Sequence, residues 1–247
     1  MFRELSTLPG ELTDRQSMGS ATQEFLYANF ACRDLHDIVY VTGNPQVEHH
    51  WDGLDTSFHA IEHVWRNQWD DEQQTVLPCS MTAAARYARE QYPNKRLIIH
   101  YLQPHYPFVG SDLDEAKGKF ENPDTEIGIW KKIAMGQVDI SQKEIWNVYR
   151  ENLALALESV AELVRSVSER VVVTSDHGNF VGERSGPVPV REWGHPFGTY
   201  QPELTTVPWQ VVKSENRPEI TNGPPTNHRP TDDEVVTSRL QALGYNE

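Results

Sequence analysis

The sequence predicts an α/β fold, a three-layer α/β/α sandwich around a mostly parallel mixed sheet. Two observations indicate this fold. Short runs rich in β-branched residues alternate with amphipathic segments, and the apolar residues within each run are consecutive, as in strands that are covered on both faces. The runs lie at residues 37–42, 96–102, 170–175 and 207–212. Strands that alternate with helices assemble into a sheet with helices packed on its faces.

Helices are predicted between these strands. The longest covers residues 149–168, where apolar side chains recur every three or four positions on one stripe. The residues of this stripe are Leu153, Leu157, Val160 and Val164. Residues 58–69 and 83–91 are also predicted to be helical.

A length of 247 residues suits one α/β domain. The core is predicted to cover residues 1–213, with a polar insertion at 111–142 that has no clear periodicity. A connector rich in Pro, Asn and Gly follows at 214–230. The segment 231–247 is predicted to be a C-terminal helix packed on the core, with Thr231 as its N-cap.

The chain is strongly acidic, with 36 acidic and 22 basic residues and a formal net charge of -14. A surface of this charge repels nucleic-acid phosphates and anionic lipids, which excludes both as partners. Only seven of the basic residues are lysines, and this composition favours a halophilic protein over an ordinary acidic cytosolic one. No apolar run reaches the ~20 residues that span a bilayer, and no signal peptide is visible, so a cytoplasmic location is expected.

One polar pair follows the third predicted strand, where Asp176 and His177 stand side by side. Ligands of open α/β sheets bind beyond the carboxyl ends of the strands. A carboxylate and an imidazole are both good ligands for a divalent cation, so the pair predicts a metal site. The alternative is a plain strand-end turn in which the aspartate caps the next segment.

The string around this pair, T-S-D-H-G at residues 174–178, resembles the signature of the sulfatase-like members of the alkaline phosphatase superfamily. The later string W-G-H-P and the ending R-L-Q-A-L-G-Y at residues 239–245 are also similar to segments of that family. The resemblance covers most of the chain. It implies that Asp176 and His177 bind the catalytic divalent metal, and the histidine at this place favours Mn or Zn over Ca or Mg.

The resemblance assigns two further histidines to the site. His105 lies in the string P-H-Y-P-F after the second predicted strand, where the family binds substrate, and it is a candidate catalytic acid. His195 is a candidate metal ligand, or a group that binds and neutralises the transferred anion. No aspartate precedes His105 at the spacing that two-metal relatives use, so a single-metal site is expected.

A nucleophile is implied at the start of a helix, where amide groups and the helix dipole attract an anion. The string S-M-G-S-A-T at residues 17–22 is similar to the family's nucleophile segment. Ser17 is the predicted nucleophile, and Ser20 and Thr22 are alternatives that are also predicted to contact substrate. Otherwise these residues are caps of an ordinary helix. The absence of cysteine at Ser17 disfavours the formylglycine chemistry of true sulfatases and favours phosphoester or phosphonoester chemistry.

The expected activity is metal-dependent hydrolysis or transfer of phosphate, phosphonate or sulfate esters through a covalent serine intermediate. The expected substrate is a small-molecule or glycan ester, and its identity and the oligomeric state stay open. The alternative is a catalytically inactive anion- or sugar-binding protein with the same fold.

The resemblance also implies a first strand that ends in a metal-binding aspartate, ahead of the nucleophile. No such strand precedes Ser17, since residues 1–5 have the pattern of a helix. Two hypotheses follow, a strand upstream of this sequence or a degenerate relative without activity. A core that lacks this strand is expected to leave the edges of its neighbours unpaired.

Overall fold

The structure, a computed structural model, describes residues 1–110, 128–138, 140–184, 190–213, 217–226 and 230–245. The described helices are α1 (Phe2–Leu5), α2 (Thr22–Phe30), α3 (Gln46–His49), α4 (Trp51–Leu54), α5 (Val64–Asn67), α6 (Pro78–Gln91), α7 (Ile129–Ala134), α8 (Gln142–Ser166), α9 (Pro202–Thr205) and α10 (Asp233–Ala242). The described strands are β1 (Glu11–Gln16), β2 (Asp34–Thr42), β3 (Ser57–His63), β4 (Trp69–Asp70), β5 (Thr75–Val76), β6 (Arg96–His100), β7 (Val171–Thr174), β8 (Phe180–Arg184), β9 (Arg191–Gly194) and β10 (Thr206–Lys213).

A parallel three-stranded sheet, in the order β3-β2-β6, forms the first half of the fold. Strand β2 is apolar at consecutive positions, and its side chains alternate between the two faces of the sheet. Val39 and Val41 pack with residues of α6 and α10, while Tyr40 packs with residues of α2. All three are fully buried. Helices therefore cover both faces of this sheet, which confirms the predicted α/β class.

The second sheet is antiparallel, in the order β1-β10-β7. Helix α8 covers it, because Leu157 and Val164 of this helix share an apolar cluster with Val171 and Val173 of β7. The pairing of the fold is therefore mixed, parallel in one sheet and antiparallel in the other. Two short ribbons, β4-β5 and β8-β9, complete the described strands.

Strands β6 and β7 border a gap between the two sheets. Each has a single ladder partner among the described residues. The apolar residues Ile98, Ile99, Val172 and Val173 are only half-buried, although their consecutive placement predicts full burial. A cavity of about 1110 Å³ lies here and is lined by every residue of both strands. Among the described residues, β6 and β7 each therefore present one edge without a ladder partner to this cavity.

The helix predicted at residues 58–69 is wrong. Its first part belongs to strand β3, which pairs in parallel with β2. Phe58 and Ala60 are buried at a spacing of two residues, which is the period of a strand and not of a helix. Helix α5 covers only the four residues Val64–Asn67.

Helix α8 begins at Gln142, earlier than the predicted start at residue 149. The Glu144 amide donates to the Ser141 hydroxyl at 3.2 Å, and the Ser141 amide donates to the Glu144 carboxylate at 2.8 Å. This reciprocal capping box satisfies two amide groups at the helix start. The first turn is set by these polar contacts, which an apolar periodicity does not detect.

The insertion predicted at residues 111–142 is described only in part, since residues 111–127 and 139 lie outside the described residues. Within it, α7 places Ile129 and Ile133 in an apolar cluster with residues of α8. This described part of the insertion therefore packs against the core.

The connector predicted at residues 214–230 contacts the parallel sheet in its described part, where the Thr226 amide donates to the His59 carbonyl oxygen at 2.7 Å. Helix α10 follows, and Asp232 caps it in place of the predicted Thr231. Among the described residues, no helix combines the length and the apolar character needed to cross a membrane.

Replacing Ser141 by Ala is expected to lower the free energy of unfolding by about 1 kcal/mol, because the variant loses the side-chain acceptor that caps α8. Urea denaturation followed by circular dichroism measures the change. Ser166→Ala is the matched control at the other end of the helix, where the hydroxyl only donates to the Leu163 carbonyl oxygen. The control is expected to stay within about 0.5 kcal/mol of the parent chain. An equal loss in both variants contradicts the capping role.

Candidate active site

The carboxyl ends of β6 and β7 meet at one site. His100 is the last residue of β6, and Asp176 lies just beyond β7. The His100 Nε2 and Asp176 Oδ2 atoms are 3.7 Å apart. The two strands therefore end at the same edge of the fold, where open α/β sheets bind their ligands.

The turn that carries Asp176 is fixed by a close backbone contact at Gly178. The Gly178 amide donates to the Leu204 carbonyl oxygen at 2.6 Å. A Cβ atom at this position would lie 2.0 Å from the Glu203 carbonyl oxygen. The glycine is therefore required because the neighbouring backbone leaves no room for a side chain.

The His177 ring is oriented by its own backbone neighbour. Its Nδ1 atom lies 2.6 Å from the Gly178 carbonyl oxygen, and a carbonyl only accepts, so Nδ1 carries the proton. The Nε2 atom then presents a lone pair to the site, 3.4 Å from Asp176 Oδ2 and 3.2 Å from Thr22 Oγ1. A backbone acceptor that fixes the tautomer in this way is typical of histidines that bind metals.

The Asp176 carboxylate is held in its ionised form. Burial by itself would raise its pKa, but the imidazoles of His177 and His100 and hydrogen bonds from the Thr22 hydroxyl and the His177 amide lower the pKa below its ordinary value. A buried anion with several donors is stable in a protein interior. The carboxylate therefore presents a negative charge to the site.

Thr22 is the hydroxyl residue that faces this carboxylate. It is the first residue of α2 and is buried, and its Oγ1 donates to Asp176 Oδ2 at 2.8 Å. The Ser17 hydroxyl instead donates to the backbone carbonyl oxygen of Asp176 and accepts from the Gly19 amide at 3.2 Å. Both predicted hydroxyls reach the Asp176 turn, and of the two it is Thr22 that contacts the carboxylate.

Ser20 lies in a separate polar cluster under the start of α2. Its hydroxyl is fully buried and donates to Glu24 Oε2 at 2.6 Å. The other oxygen of Glu24 accepts from the Tyr200 hydroxyl at 2.6 Å and from the Gly198 amide at 3.3 Å. Ser20 therefore joins α2 to the loop after His195, and its contact with substrate stays a prediction.

His105 and His195 form a hydrogen-bonded pair, with their Nε2 atoms 2.9 Å apart. The Nδ1 atom of His105 faces the Tyr106 carbonyl oxygen, so it carries the proton and His105 Nε2 accepts from His195. Burial lowers the pKa of His105 to about 4. Burial, together with repulsion from His177 and His105, also lowers the pKa of His195 well below its ordinary value. Both rings are therefore neutral near pH 7 and are joined by this hydrogen bond. The catalytic and substrate-binding roles of His105 and the metal- or anion-binding role of His195 stay predictions.

Two tyrosines at the site were not among the predicted site residues. The Tyr245 ring stacks on His105, with ring centroids 5.2 Å apart and planes 13° apart, and its hydroxyl interacts with Thr22 and Asn44. Burial raises the pKa of Tyr245 to about 12, assisted by the charge of Asp176. The Tyr40 hydroxyl lies 2.9 Å from His100 Nδ1. The similar ending R-L-Q-A-L-G-Y was the sequence signal for Tyr245, whereas nothing local marks Tyr40.

The donors at the site fit part of a metal-binding set. Asp176 Oδ2 and His177 Nε2 are an oxygen and a nitrogen ligand of the kind that Mn or Zn accepts. However, the part of the chain that the structure describes contains no group of three or more His, Cys, Asp or Glu side chains arranged to hold a metal ion. His195 contacts His105 instead of completing such a group. The described residues therefore fill two ligand positions at most.

Comparison with known proteins gives distant structural similarity. No family model matches the chain, and no curated protein matches its sequence. Among solved structures, the chain is similar to the C-terminal periplasmic domain of EcEptC from Escherichia coli, with 16% identity, a TM-score of 0.45 and coverage of 72% of this chain and 48% of that one. The zinc complex of the same domain gives 17% identity, a TM-score of 0.43 and coverage of 72% and 49%. The chain thus spans about half the length of these structures.

Glu24→Gln is expected to lower the free energy of unfolding by about 1–3 kcal/mol at pH 7, because the amide offers one acceptor where the carboxylate has two. Burial opposes ionisation of Glu24, yet its hydrogen bonds from Ser20, Tyr200 and Gly198 lower its pKa in the folded chain. A lowered carboxyl pKa contributes stability above the unfolded-state value near 4.5, and that stability is lost as the pH falls. The difference between parent and variant is therefore expected to shrink below pH 4.5, as measured by urea denaturation across pH.

The control for this prediction is Glu151→Gln, an exposed position on α8. It is expected to change stability by less than about 0.5 kcal/mol at any pH. A difference between parent and Glu24→Gln that stays constant from pH 7 to pH 3 contradicts an ionised Glu24 as the group that holds this loop.

Proposed function

We propose that the protein hydrolyses or transfers phosphate or phosphonate esters, with Thr22 as the nucleophile. The observation that carries the proposal is the position of Thr22 Oγ1, which lies 2.8 Å from Asp176 Oδ2 and 3.2 Å from His177 Nε2. Two polar groups that can take its proton are thus within hydrogen-bonding distance. The resemblance of the string T-S-D-H-G to the sulfatase-like signature supports the same chemistry.

The position of Thr22 at the start of α2 also suits an anionic substrate. The first amide groups of a helix are free of intrahelical partners, and the helix dipole places partial positive charge at that end. An ester phosphate beside Thr22 would meet these amides, so the attacking oxygen and the anion-binding groups belong to the same helix turn.

The proposed reaction has two steps. The Thr22 oxygen forms a bond to phosphorus, its proton passes to the Asp176–His177 pair, and the bond from phosphorus to the leaving oxygen breaks. The pair then passes this proton on to the leaving oxygen. Water or an acceptor hydroxyl then attacks the phosphothreonine and gives its proton to the pair, which returns it to the Thr22 oxygen as the bond from phosphorus to that oxygen breaks.

Asp176 and His177 are the residues that would hold a divalent cation, which would contribute positive charge against the anionic phosphate. The remaining ligands would come from water, from substrate or from residues outside the described part of the chain. This incomplete set favours one alternative, a non-catalytic protein that binds anions or sugars with the same groups.

Thr22→Ala is expected to abolish ester hydrolysis, with a loss of at least about 1000-fold, because the variant lacks the attacking oxygen. Thr22→Ser retains the oxygen and is expected to keep measurable activity. The measurement is the release of p-nitrophenol from p-nitrophenyl phosphate, phenylphosphonate and sulfate in the presence of Mn or Zn. Phosphate and phosphonate esters are expected to be the better substrates.

Ser17→Ala is the matched control for this experiment, since the Ser17 hydroxyl contacts backbone groups of Asp176 and Gly19 and not the Asp176 carboxylate. It is expected to retain most of the activity. Loss of activity in Ser17→Ala with retention in Thr22→Ala reverses the assignment and identifies Ser17 as the nucleophile. No hydrolysis by the parent chain, together with intact binding of vanadate or phosphate, supports the non-catalytic alternative.

Asp176→Asn is expected to weaken the binding of Zn or Mn at least about 100-fold, because an amide oxygen is a poorer ligand than a carboxylate. Isothermal titration calorimetry with the metal alone measures the affinity without reference to activity. Asp233→Asn, an exposed residue of α10, controls for the loss of one negative charge. Equal affinities in the parent and Asp176→Asn contradict a metal site at this turn.

A further inference from the structure

We propose that Tyr245 is a further catalytic residue, which donates a hydrogen bond to the Thr22 oxygen and stabilises that oxygen when it leaves phosphorus in the second step of the reaction. This inference rests on the proposed function and adds to it a residue for the cleavage of phosphothreonine. Three features carry it: the backbone that places Tyr245, the rings that hold its side chain, and the hydrogen bonds at its hydroxyl.

The end of α10 determines where Tyr245 lies. Gly244 has a φ of 83°, a left-handed conformation that favours glycine. Its amide donates to the Gln241 carbonyl oxygen at 2.9 Å, and the Tyr245 amide donates to the Leu240 carbonyl oxygen at 3.0 Å. These two bonds form a Schellman motif, which ends a helix and turns the chain away from its axis. The direction in which Tyr245 leaves α10 is therefore fixed by the backbone.

Helix α10 is itself attached to the core near both of its ends. Ahead of the helix, the Thr231 amide donates to Glu48 Oε1 at 2.7 Å. At the other end, Leu240 and Leu243 are buried in the apolar cluster that contains residues of β2, and Tyr245 packs against the same cluster. The backbone of Tyr245 therefore belongs to the packed part of the fold.

Two histidine rings of the site hold the Tyr245 side chain. The ring lies nearly parallel to that of His105, with planes 13° apart. Its centroid is also 5.8 Å from that of His195, with planes 54° apart. Contacts of both kinds are favourable for aromatic rings. The ring plane is set by these contacts, so the hydroxyl has a defined position beside Thr22.

The hydrogen bonds at the Tyr245 hydroxyl run in one direction. Its partners are the side chains of Thr22 and Asn44. The Thr22 hydroxyl gives its only proton to the Asp176 carboxylate at 2.8 Å, so it can only accept from Tyr245. The Asn44 side-chain oxygen accepts from the Gln46 amide at 3.0 Å, which leaves the Asn44 NH2 group as the donor to Tyr245. The proton of Tyr245 therefore points at the Thr22 oxygen.

A donor at the Thr22 oxygen affects the two steps unequally. The hydrogen bond from Tyr245 exists before Thr22 attacks, so the first step gains little from it. In phosphothreonine the same oxygen is a weak acceptor, and it gains negative charge as its bond to phosphorus breaks. A hydrogen bond to a charged oxygen is about twice as strong as one to a neutral oxygen. Since only interactions that strengthen in the transition state accelerate a step, Tyr245 acts on the second step. It keeps its own proton throughout, so the proton balance of the reaction is unchanged.

The test is Tyr245→Phe, which removes the hydroxyl and keeps the ring that stacks on His105. p-Nitrophenol is a good leaving group, so with p-nitrophenyl phosphate and Mn the second step limits kcat. The variant is expected to lower kcat at least about tenfold, because a donor to a developing anion is lost. The value of kcat/KM covers only the steps up to the release of p-nitrophenol, and it is expected to stay within about threefold of the parent value.

A second readout follows the covalent intermediate directly. Acid quenching during turnover, followed by intact-mass spectrometry, measures the fraction of the chain that carries phosphothreonine. This fraction is expected to be larger in Tyr245→Phe than in the parent. Tyr87→Phe is the matched control, since it removes an exposed tyrosine hydroxyl on α6. It is expected to match the parent in kcat, in kcat/KM and in the phosphothreonine fraction.

Gly244→Ala tests the same inference without removing a hydroxyl. The variant strains the left-handed turn that places Tyr245, and it is expected to lower kcat and to raise the phosphothreonine fraction in the same way. Gly136→Ala is its control, because Gly136 also has a positive φ, of 68°, and follows α7 outside the site. This control is expected to leave both readouts unchanged.

A parallel fall of kcat and kcat/KM in Tyr245→Phe overturns the proposal, because a residue that only supports the structure of the site would lower both. An unchanged kcat also overturns it, as does a lower kcat without accumulation of phosphothreonine. A parent chain that hydrolyses no ester removes the proposed function, and this inference with it. An active parent whose Tyr245→Phe variant is equally active removes this inference alone.

Discussion

The hydrogen bond from the Thr22 hydroxyl to the Asp176 carboxylate joins two parts of the chain that are 154 residues apart in sequence. It connects the first turn of α2, which packs on the parallel sheet, with the turn after β7 in the antiparallel sheet. Among the described residues these two sheets share no backbone ladder. At the site they are joined by side-chain contacts such as this hydrogen bond. The buried Asp176 carboxylate needs hydrogen-bond donors to remain charged. The Thr22 hydroxyl and the His177 amide must therefore lie beside it.

The strands that the sequence predicts correctly are those with consecutive apolar residues, such as the runs that became β2, β6, β7 and β10. Strand β1 was not predicted, because Glu11–Gln16 is a mostly exposed edge strand with little apolar pattern. The error at β3 has a related cause. Its residues mix polar and apolar side chains, and only pairing with a distant strand distinguishes this mixture from a helix. Local periodicity therefore detects strands with consecutive apolar residues and misses strands such as β1 and β3, which mix polar and apolar side chains.

The residues of the candidate site could likewise be predicted only in part from the sequence. Asp176, His177, His105 and His195 could be selected because each follows a predicted strand or lies in a recognisable string. Which hydroxyl faces the carboxylate could not be predicted, because both reach the Asp176 turn and only the tertiary fold places Thr22, and not Ser17, at the carboxylate. The Tyr40 contact depends on packing across the sheet. The halophilic character and the cytoplasmic location stay predictions from composition.

The close contact at Gly178 has a mechanical consequence for the whole antiparallel sheet. No side chain separates the Gly178 backbone from the Glu203 carbonyl oxygen. Because the two segments are in direct backbone contact, a shift of one displaces the other. Glu203 lies in α9, three positions before β10 begins, and residues 206–211 of β10 pair with β1. A displacement of the exposed strand β1 is therefore transmitted to Asp176 as a rigid shift. Substitutions at the surface of β1 can therefore change the position of the Asp176 carboxylate.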